Sequence, residues 1–383
     1  MNLDNKTILP GGTIGIIGGG QLGRMMAIAA RQLGYKIAVL DPTENCPCGQ
    51  LADIEITASY DDIEAIKKLA EVSDVITYEF ENIDYDALRW LEEQANLPQK
   101  SSLLLLTQDR ETEKEAIVQA GCEVAPYRIV RTEEELQAAV NVLGVPSVLK
   151  TCRGGYDGKG QFVMRQESDF EEAKRLLTNG TCILEKWVPF DKEISVIVTR
   201  SVNGETKTFP VAENIHKDNI LYQSIVPARI SKDIEVKAEE LAVKLANHFE
   251  LVGTLAVEMF LTKAGEIFIN ELAPRPHNSG HYTIDFCETD QFEQHVRAVC
   301  NLPLGQTTLL QSGLMVNILG EDLEVVNDNL SLLTYGKLHL YGKKEPVTKR
   351  KMGHLNLFSN NIEQDIEMIN KIWGQKENGG NKE

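Results

Sequence analysis

The sequence predicts an α/β protein whose N-terminal part is built on a parallel sheet. Over the first hundred residues, short apolar runs rich in β-branched residues alternate with amphipathic segments of helical periodicity. Strands separated by helices of this length are typical of βαβ units, in which successive strands run parallel. A chain of 383 residues corresponds to two or three domains at roughly 150 residues each, so further domains are expected to follow.

Each element of the N-terminal part is predicted from its local pattern. The sequence TIGIIG forms the first strand, and the helix after it ends before Gly34, because glycine readily terminates a helix in the left-handed conformation. In chain order we predict strand 13–18, helix 22–33, strand 36–41, helix 61–70 and strand 74–80.

The middle of the chain contains both element types. Gly121 closes one predicted helix, and capping boxes at 132–135 and 168–171 begin two amphipathic helices. Asn203-Gly204 predicts a hairpin, because both residues tolerate positive φ. The predicted elements are helix 107–120, strands 146–151, 161–164 and 181–188, hairpin strands 194–202 and 205–211, and helix 233–249.

The composition excludes several classes of protein. With 39 Lys+Arg and 57 Asp+Glu the net charge is −18, so nucleic acid and anionic membranes are poor partners. No apolar run suits a signal peptide or a membrane span, and the seven cysteines are too irregularly spaced for a disulfide framework. We therefore expect a cytoplasmic protein. A small anionic ligand is not excluded, because it responds only to local charge.

The first glycine loop, Gly18-Gly19-Gly20-Gln21-Leu22-Gly23, matches G-x-G-x-x-G between a predicted strand and a predicted helix. Asp41, which ends the next strand, would complete a dinucleotide fingerprint as the ribose partner. Backbone amides at a helix N-terminus bind phosphate, but the motif does not say whose phosphate. An NAD site, a phosphate site for another ligand and a structural tight turn are all compatible with it.

The second glycine loop, Gly154-Gly155-Tyr156-Asp157-Gly158-Lys159-Gly160, joins two predicted strands. A P-loop opens into a helix, so this loop is not a P-loop. A glycine-rich hairpin can instead fold over a polyphosphate, with its amides near the oxygens and with Lys150 and Lys159 neutralising charge. The alternative, a flexible hairpin tip, leaves both lysines unexplained.

Two glutamates are predicted to face each other on a hairpin. If its turn is centred after Ala264, Glu258 lies directly opposite Glu271, with Cβ atoms roughly 5 Å apart. Like charges in this position are destabilising unless a cation lies between them. With Asn270 as an adjacent oxygen donor, the pattern suits Mg²⁺ held jointly by carboxylates and substrate phosphates. The alternative is two solvated glutamates, which the apolar neighbours disfavour.

The loop 273–281 (APRPHNSGH) follows this hairpin directly. Its two prolines stiffen the backbone around Arg275 and His277, so a guanidinium and an imidazole are expected just beyond the carboxylate pair. A guanidinium is well shaped to hold a planar carboxylate or carbonate. A coincidental loop of polar residues is the alternative.

Together these motifs resemble the ATP-grasp superfamily and, within it, the 5-(carboxyamino)imidazole ribonucleotide synthases. The resemblance covers nearly the whole chain, through GGGQLGRM, YEFEN, GGYDGKGQ, EKWV, NELAPRPHNSGHYT and RKMGHLN. It implies an α/β ATP-grasp fold with an N-terminal Rossmann-like parallel-sheet domain and a small C-terminal α+β domain. The implied boundaries are 1–106, 107–300 for the ATP-grasp domain with a lid at about 127–190, and 301–383. A homodimer is also implied.

The reaction that the resemblance implies is the ATP-dependent carboxylation of 5-aminoimidazole ribonucleotide by bicarbonate, through carboxyphosphate, in de novo purine biosynthesis. The amine would attack either carboxyphosphate or CO₂ released from it, and the sequence leaves both open. ATP and Mg²⁺ are the implied cofactors. Glu79, Asp157 and His277 are candidates for moving a proton, and each is equally a candidate for an orienting role.

The resemblance also implies site residues. Glu258 and Glu271 would bind the metal, and bicarbonate or carboxyphosphate would be held by Arg275, His277 and Asn278. The first glycine loop would bind the 5′-phosphate of the ribonucleotide rather than NAD. The ribonucleotide site would contain Gln21, Leu22, Glu79, Tyr156, Asp157, Lys343 (or Lys344) and Arg350. The ATP site would contain Arg110, Lys150, Gly155, Tyr156, Asp157, Gly158, Lys159, Gly160, Gln161, Glu185, Lys186, Trp187, Val188, Glu193, His216, Asn270 and Glu271.

Three other functions account for fewer of these motifs. Another ATP-grasp ligase would use a different acceptor. An NAD-dependent dehydrogenase would leave the second glycine loop and the paired glutamates unexplained. A nucleotide-binding regulator would bind ATP without bicarbonate-dependent release of ADP.

Overall fold

A four-stranded parallel sheet forms the N-terminal part of the computed structural model, which describes residues 6–155 and 158–379. The strand order is β3-β2-β1-β4. Its elements are β1 (Thr13–Ile17), α1 (Gln21–Gln32), β2 (Lys36–Asp41), β3 (Ile54–Thr57), α2 (Ile63–Val72), β4 (Val75–Tyr78) and α3 (Tyr85–Gln94). The predicted parallel arrangement is confirmed. The sequence analysis missed β3, an edge strand too short to show a clear period.

A second sheet of four antiparallel strands follows, in the order β5-β8-β6-β7. Its elements are β5 (Tyr127–Val130), α6 (Glu133–Leu143), β6 (Ser147–Thr151), β7 (Gln161–Met164), α7 (Phe170–Ala173) and β8 (Cys182–Lys186). The apolar face of α6 packs on this sheet through Leu136 and Val140, beside Leu149 and Leu184.

Of the two predicted capping boxes, the one at 132–135 has the predicted N-cap residue, Thr132. Thr132 Oγ1 accepts a hydrogen bond from Glu135 N at 3.2 Å and begins α6. The box predicted at 168–171 is wrong, because the Asp169 carboxylate accepts from Gln166 N at 3.2 Å and caps a 3₁₀ turn that begins at Glu167 instead. Only the four residues of α7 are α-helical there.

The largest sheet has nine strands and ends with the C-terminal strands, in the order β14-β13-β9-β11-β12-β15-β17-β16, with β10 paired to β9. The strands are β9 (Phe190–Arg200), β10 (Thr206–Thr208), β11 (Ala212–Lys217), β12 (Ile220–Val226), β13 (Gly253–Thr262), β14 (Ile267–Ala273), β15 (Gly313–Leu319), β16 (Gly336–Leu340) and β17 (Lys351–Phe358). The strands after residue 312 therefore continue the sheet that carries the central part of the chain.

The remaining helices cover the sheets and connect them. They are α4 (Ser102–Thr107), α5 (Arg110–Gln119), α8 (Lys232–His248), α9 (Thr283–Phe286), α10 (Gln291–Val299), α11 (Leu323–Asp328) and α12 (Ile362–Gly379). The helix predicted at 107–120 begins only at Arg110, because the Asp109 carboxylate accepts from Glu111 N at 3.0 Å as the N-cap. Within the described ranges, no helix has the length and apolar character needed to cross a bilayer.

The contact between α1 and α10 fixes the first glycine loop beside the central sheet. Met25 and Met26 of α1 share a buried apolar cluster with Phe292 and Val296 of α10. Burial of each such side chain stabilises the folded protein by roughly 1.5–3 kcal/mol. The N-terminus of α1 is therefore held next to the loop that precedes α10.

Candidate active site

A cavity of about 490 Å³ lies between the second sheet and the nine-stranded sheet. Most residues predicted for the ATP site line it: Arg110, Lys150, Gly158, Lys159, Gln161, Glu185, Lys186, Trp187, Val188, Glu193, His216, Asn270 and Glu271. Gly155 and Gly160 belong to the same loop but do not line the cavity, whereas Tyr156 and Asp157 lie outside the described residues. The sequence analysis missed the apolar lining residues, which look like ordinary strand residues: Val148, Val163, Phe190, Leu221 and Phe260.

The second glycine loop connects two paired strands, as predicted. Lys150 of β6 lies opposite Gln161 of β7. Gly158 has φ +80°, and a Cβ atom there would lie 2.7 Å from the Asn219 side chain. Because of this close approach, the loop packs against the turn between β11 and β12, over the cavity.

A buried carboxylate at the cavity binds two lysines, of which Lys150 lines the cavity and Lys114 lies behind it. Glu185 Oε2 lies 2.6 Å from Lys150 Nζ, and its Oε1 lies 3.3 Å from Lys114 Nζ. Burial alone would raise the pKa of Glu185, but the two ammonium groups and Arg110 lower it to about 2. Lys114 was not predicted, although it precedes the buried Ile117 by one helical turn.

Glu258 and Glu271 lie opposite each other, as predicted. The predicted turn centre is wrong, because the turn closes with a hydrogen bond from Thr262 N to Glu266 O at 3.0 Å and shifts the register. A β-bulge at Asn270 restores the predicted pairing next to the cavity. The sequence pattern shows neither the turn type nor the bulge. The misplaced turn centre and the missed bulge each shift the register by one residue in opposite directions, so the predicted pair is still correct.

The carboxylate pair has polar partners on both sides. Arg110 Nη1 lies 3.4 Å from Glu271, and His277 Nε2 lies 3.5 Å from Glu258. Burial, together with the nearby Glu271 carboxylate, raises the pKa of Glu258 to about 7. Asn270 Oδ1 is buried and has no hydrogen-bond partner among the described residues. The pair and this amide form a set of hard oxygen donors at the cavity.

The loop 273–281 presents three side chains to the cavity. Arg275 Nε forms an ion pair with Glu81 at 2.7 Å. His277 Nδ1 accepts from Ser279 N at 3.3 Å, so a neutral imidazole carries its proton on Nε2, towards Glu258. Both amide atoms of Asn278 are buried without a hydrogen-bond partner in the described parts of the chain.

A glutamine that the sequence analysis missed fixes the backbone of this loop. Gln291, fully buried at the start of α10, donates from Nε2 to His277 O at 2.8 Å. Its Oε1 accepts from His277 N at 2.9 Å. One side-chain amide thus satisfies both main-chain groups of His277 and orients that residue.

A smaller cavity of about 200 Å³ adjoins the first. Gln21, Leu22, Glu79 and Phe80 line it, three of which were predicted for the ribonucleotide site. Both cavities share a wall of four residues: Arg275, His277, Asn278 and Lys351. Lys351 was missed, although it follows Arg350 within the motif RKMGHLN. Ligands in the two cavities would meet at this shared wall.

The amides of the first glycine loop already have carboxylate partners. Gly20 N and Gly23 N donate to the two oxygens of Glu79, the latter at 2.6 Å. Gly19 N donates to Asp41 Oδ2 at 2.7 Å. In this arrangement the three amides are bonded to carboxylates, and the binding of the 5′-phosphate by this loop stays a prediction. The same bonds argue against an NAD site, because a dinucleotide pyrophosphate would need the loop amides that Asp41 and Glu79 hold.

The basic residues predicted for the ribonucleotide lie near the smaller cavity but do not line it. Lys343 Nζ donates to Lys351 O at 2.8 Å, and Arg350 Nη1 donates to Glu345 O at 3.3 Å. Burial and the neighbouring Arg350 lower the pKa of Lys343 to about 8. Lys344, the alternative, is exposed.

Comparisons with known proteins agree with this fold. Sequence models match the ribonucleotide synthetase preATP-grasp domain at residues 12–108, the ATP-grasp domain at 115–292 and the phosphoribosylaminoimidazole carboxylase C-terminal domain at 313–367. The N5-carboxyaminoimidazole ribonucleotide synthase of Bacillus subtilis (strain 168) is 62% identical over 377 residues, which cover 98% of this chain and 99% of that protein.

Solved structures give the same result. An ADP complex of an N5-carboxyaminoimidazole ribonucleotide synthetase superposes with a TM-score of 0.95 at 64% identity, over 97% of this chain and 99% of that one. The N5-carboxyaminoimidazole synthase of Aspergillus clavatus, in complex with ADP and 5-aminoimidazole ribonucleotide, superposes with a TM-score of 0.89 at 32% identity. This superposition covers 96% of this chain and 99% of that one. The chain belongs to the N5-carboxyaminoimidazole ribonucleotide synthase family of ATP-dependent ligases.

Proposed function

We propose that the protein carboxylates 5-aminoimidazole ribonucleotide with bicarbonate and ATP, through carboxyphosphate, and releases 5-(carboxyamino)imidazole ribonucleotide, ADP and phosphate. This is a step of de novo purine biosynthesis. The observation that carries the proposal is the wall shared by the two cavities. ATP in the larger cavity and the ribonucleotide in the smaller one would both border Arg275, His277 and Asn278, where bicarbonate would be activated and consumed. The relatives' names support the choice of substrate.

The carboxylate pair fits Mg²⁺. Glu258, Glu271 and the unsatisfied Asn270 Oδ1 provide hard oxygen donors. No group of three or more His, Cys, Asp or Glu side chains suited to a metal occurs among the described residues. Mg²⁺ commonly uses one or two carboxylates and completes its shell with substrate phosphates and water. When bound, it would neutralise the phosphate oxygens during transfer.

The first step depends on positioning by this chain's own residues. Lys150, oriented by Glu185, and Lys159 in the second glycine loop would bind the phosphates. The loop would exclude water, which otherwise hydrolyses carboxyphosphate. A bicarbonate oxygen attacks the γ-phosphorus, and the bond from that phosphorus to the departing ADP oxygen breaks. Arg275, held by Glu81, and Asn278 would keep bicarbonate in line.

In the second step, the ribonucleotide amine attacks the carbonyl carbon of carboxyphosphate, and phosphate leaves with the bridging oxygen. Glu79 would accept the amine proton, because it lines the smaller cavity and its oxygens are held by two backbone amides. His277 would act as an orienting donor through Nε2–H. Lys343 and Arg350 would hold the 5′-phosphate, since the first glycine loop is already paired with carboxylates.

We also propose the organisation that this chemistry implies. Residues 1–106 would bind the ribonucleotide, 107–300 would bind ATP with a lid at about 127–190, and 301–383 would close the ribonucleotide site. A cytoplasmic homodimer is the proposed form. Exposed apolar side chains near the edge strand β16, Leu333, Tyr335 and Leu340, are consistent with a surface that a second copy covers.

The dependence of ADP formation on each substrate tests this function. Purified protein with Mg²⁺ and ATP is assayed with bicarbonate, with 5-aminoimidazole ribonucleotide, with both and with neither. We expect full turnover only when both are present. ADP formation with another amine and not with 5-aminoimidazole ribonucleotide would indicate an ATP-grasp ligase with a different acceptor. ATP binding without any turnover would indicate a regulator.

A further inference from the structure

The bulge in β14 brings Glu271 to the same face of the sheet as Glu258. From Met259 onward, the two strands pair in a register that would set Asn270 opposite Glu258. In that register Glu271 would lie opposite Val257, which is fully buried in the core. A shift of one residue moves each side chain to the other face of a strand. The carboxylate pair therefore depends on the bulge.

Two consecutive side chains from α5 occupy the outer edge of β14 at this bulge. Lys114 Nζ donates to Asn270 O at 2.8 Å and lies 3.4 Å from Ile269 O. Glu113 Oε1 accepts from Leu272 N at 2.8 Å. Because β14 ends the sheet, these side chains bind main-chain groups that a further strand would otherwise pair with.

Both side chains are buried, with 1% exposure each, and neither lines the cavity. Buried charges are a weak source of stability compared with apolar residues of similar size. At a bulge, however, the regular ladder is interrupted and buried main-chain groups need other partners. Glu113 and Lys114 provide partners on both sides of the extra residue.

We propose that Glu113 and Lys114 are positioning residues that hold the β14 bulge and thereby keep Glu271 opposite Glu258. The proposal rests on the proposed function only in taking these two glutamates as the metal ligands. It assigns to α5 the role of setting the metal site through the backbone of β14, without contact to the metal or to the substrates.

Binding of Mn²⁺ to the ADP complex, measured by electron paramagnetic resonance, tests this role without turnover. Glu113→Met and Lys114→Met remove, at similar length, the groups that bind the main chain of β14. Lys114→Met also removes the ion pair with Glu185 at 3.3 Å, so Glu113→Met isolates the effect of the bulge. We expect either change to weaken Mn²⁺ binding at least about tenfold, as for other residues that orient metal ligands. Glu113→Gln, which keeps the acceptor oxygen, is expected to stay close to wild type, as is Glu115→Gln on the exposed face of α5.

Crystal structures of the same methionine variants supply a second measurement. We expect Glu271 to leave its position opposite Glu258. Unchanged register and unchanged Mn²⁺ affinity would overturn the proposal, as would weaker binding with the register intact. If one variant is insoluble, the other decides. If the variants behave as expected but the wild-type protein forms no ADP, the proposed function is wrong and the positioning role stands. If the wild-type protein is active but the variants keep the wild-type register, the positioning role is wrong and the proposed function stands.

Discussion

Glu258 and Glu271 are two acidic side chains that the fold holds face to face at the cavity. Opposed like charges cost free energy in a sheet, and the raised pKa of Glu258 reflects both its burial and the nearby Glu271. The pairing is therefore unfavourable unless a cation joins it. This local cost is the physical reason to assign the pair a metal-binding role.

Replacing one of these acids tests that role. Glu271→Gln is expected to lower kcat at least roughly a hundredfold at saturating Mg²⁺, the scale of losing one preorganised electrostatic group. Glu266→Gln, an exposed position at the far end of the same hairpin, is the matched control and should leave kcat nearly unchanged. Near-normal turnover of Glu271→Gln would remove the metal assignment.

Glu79 links the first glycine loop to the smaller cavity. Glu79→Gln would place an NH₂ group against Gly20 N or Gly23 N, so we expect a loss of about 1–3 kcal/mol in the free energy of unfolding. Urea titration measures this loss. Wild-type protein should also show no micromolar binding of NAD by calorimetry. Such binding would contradict the assignment of these amides to carboxylates.

The lowered pKa of Lys343 predicts a pH dependence. A lysine whose pKa is about 8 loses its charge as the pH rises through that value, and an uncharged amine binds phosphate poorly. We expect kcat/KM for the ribonucleotide to fall above about pH 8, and Lys343→Met to remove this dependence while lowering kcat/KM. The exposed neighbour provides the control: Lys344→Met should keep the wild-type profile. Loss of the dependence in Lys344→Met alone would contradict the choice of Lys343.

At the scale of elements, the hairpin of β6 and β7 lines the larger cavity and packs against the turn between β11 and β12. Gly158→Ala combines a positive φ with a Cβ atom 2.7 Å from Asn219. We expect KM for ATP to rise at least about fivefold, equivalent to roughly 1 kcal/mol of strain in the left-handed region. Gly180→Ala, which also has positive φ but open space around its Cβ, should leave KM for ATP unchanged. Equal effects in both variants would show general backbone strain rather than a role of the loop.

The hairpin of β13 and β14 shows what local sequence can predict. Alternation identifies both strands, and an assumed turn centre gives the correct pair Glu258 and Glu271. The turn, closed by the bond from Thr262 N to Glu266 O, and the bulge at Asn270 were not predictable from alternation. The side chains that bind the main chain at the bulge come from α5, which lies far away in the sequence.

At the scale of the whole molecule, the fold class and most lining residues of the larger cavity are predictable from periodicity, glycine loops and the family resemblance. The remaining errors have a common physical cause. Lys114, Gln291 and Lys351 act through contacts between elements that no single window of sequence contains. Likewise, the carboxylate partner of the first glycine loop was missed, because only the fold brings Glu79 to its amides.

The fate of a bicarbonate oxygen tests the central claim, that ATP activates bicarbonate where the two cavities meet. With bicarbonate labelled by ¹⁸O, attack on the γ-phosphorus and later loss of phosphate leave one labelled oxygen in each phosphate released. Mass spectrometry of the phosphate, in the presence of 5-aminoimidazole ribonucleotide, is therefore expected to show one ¹⁸O per molecule. Phosphate without label, released together with the carboxylated product, would contradict the account.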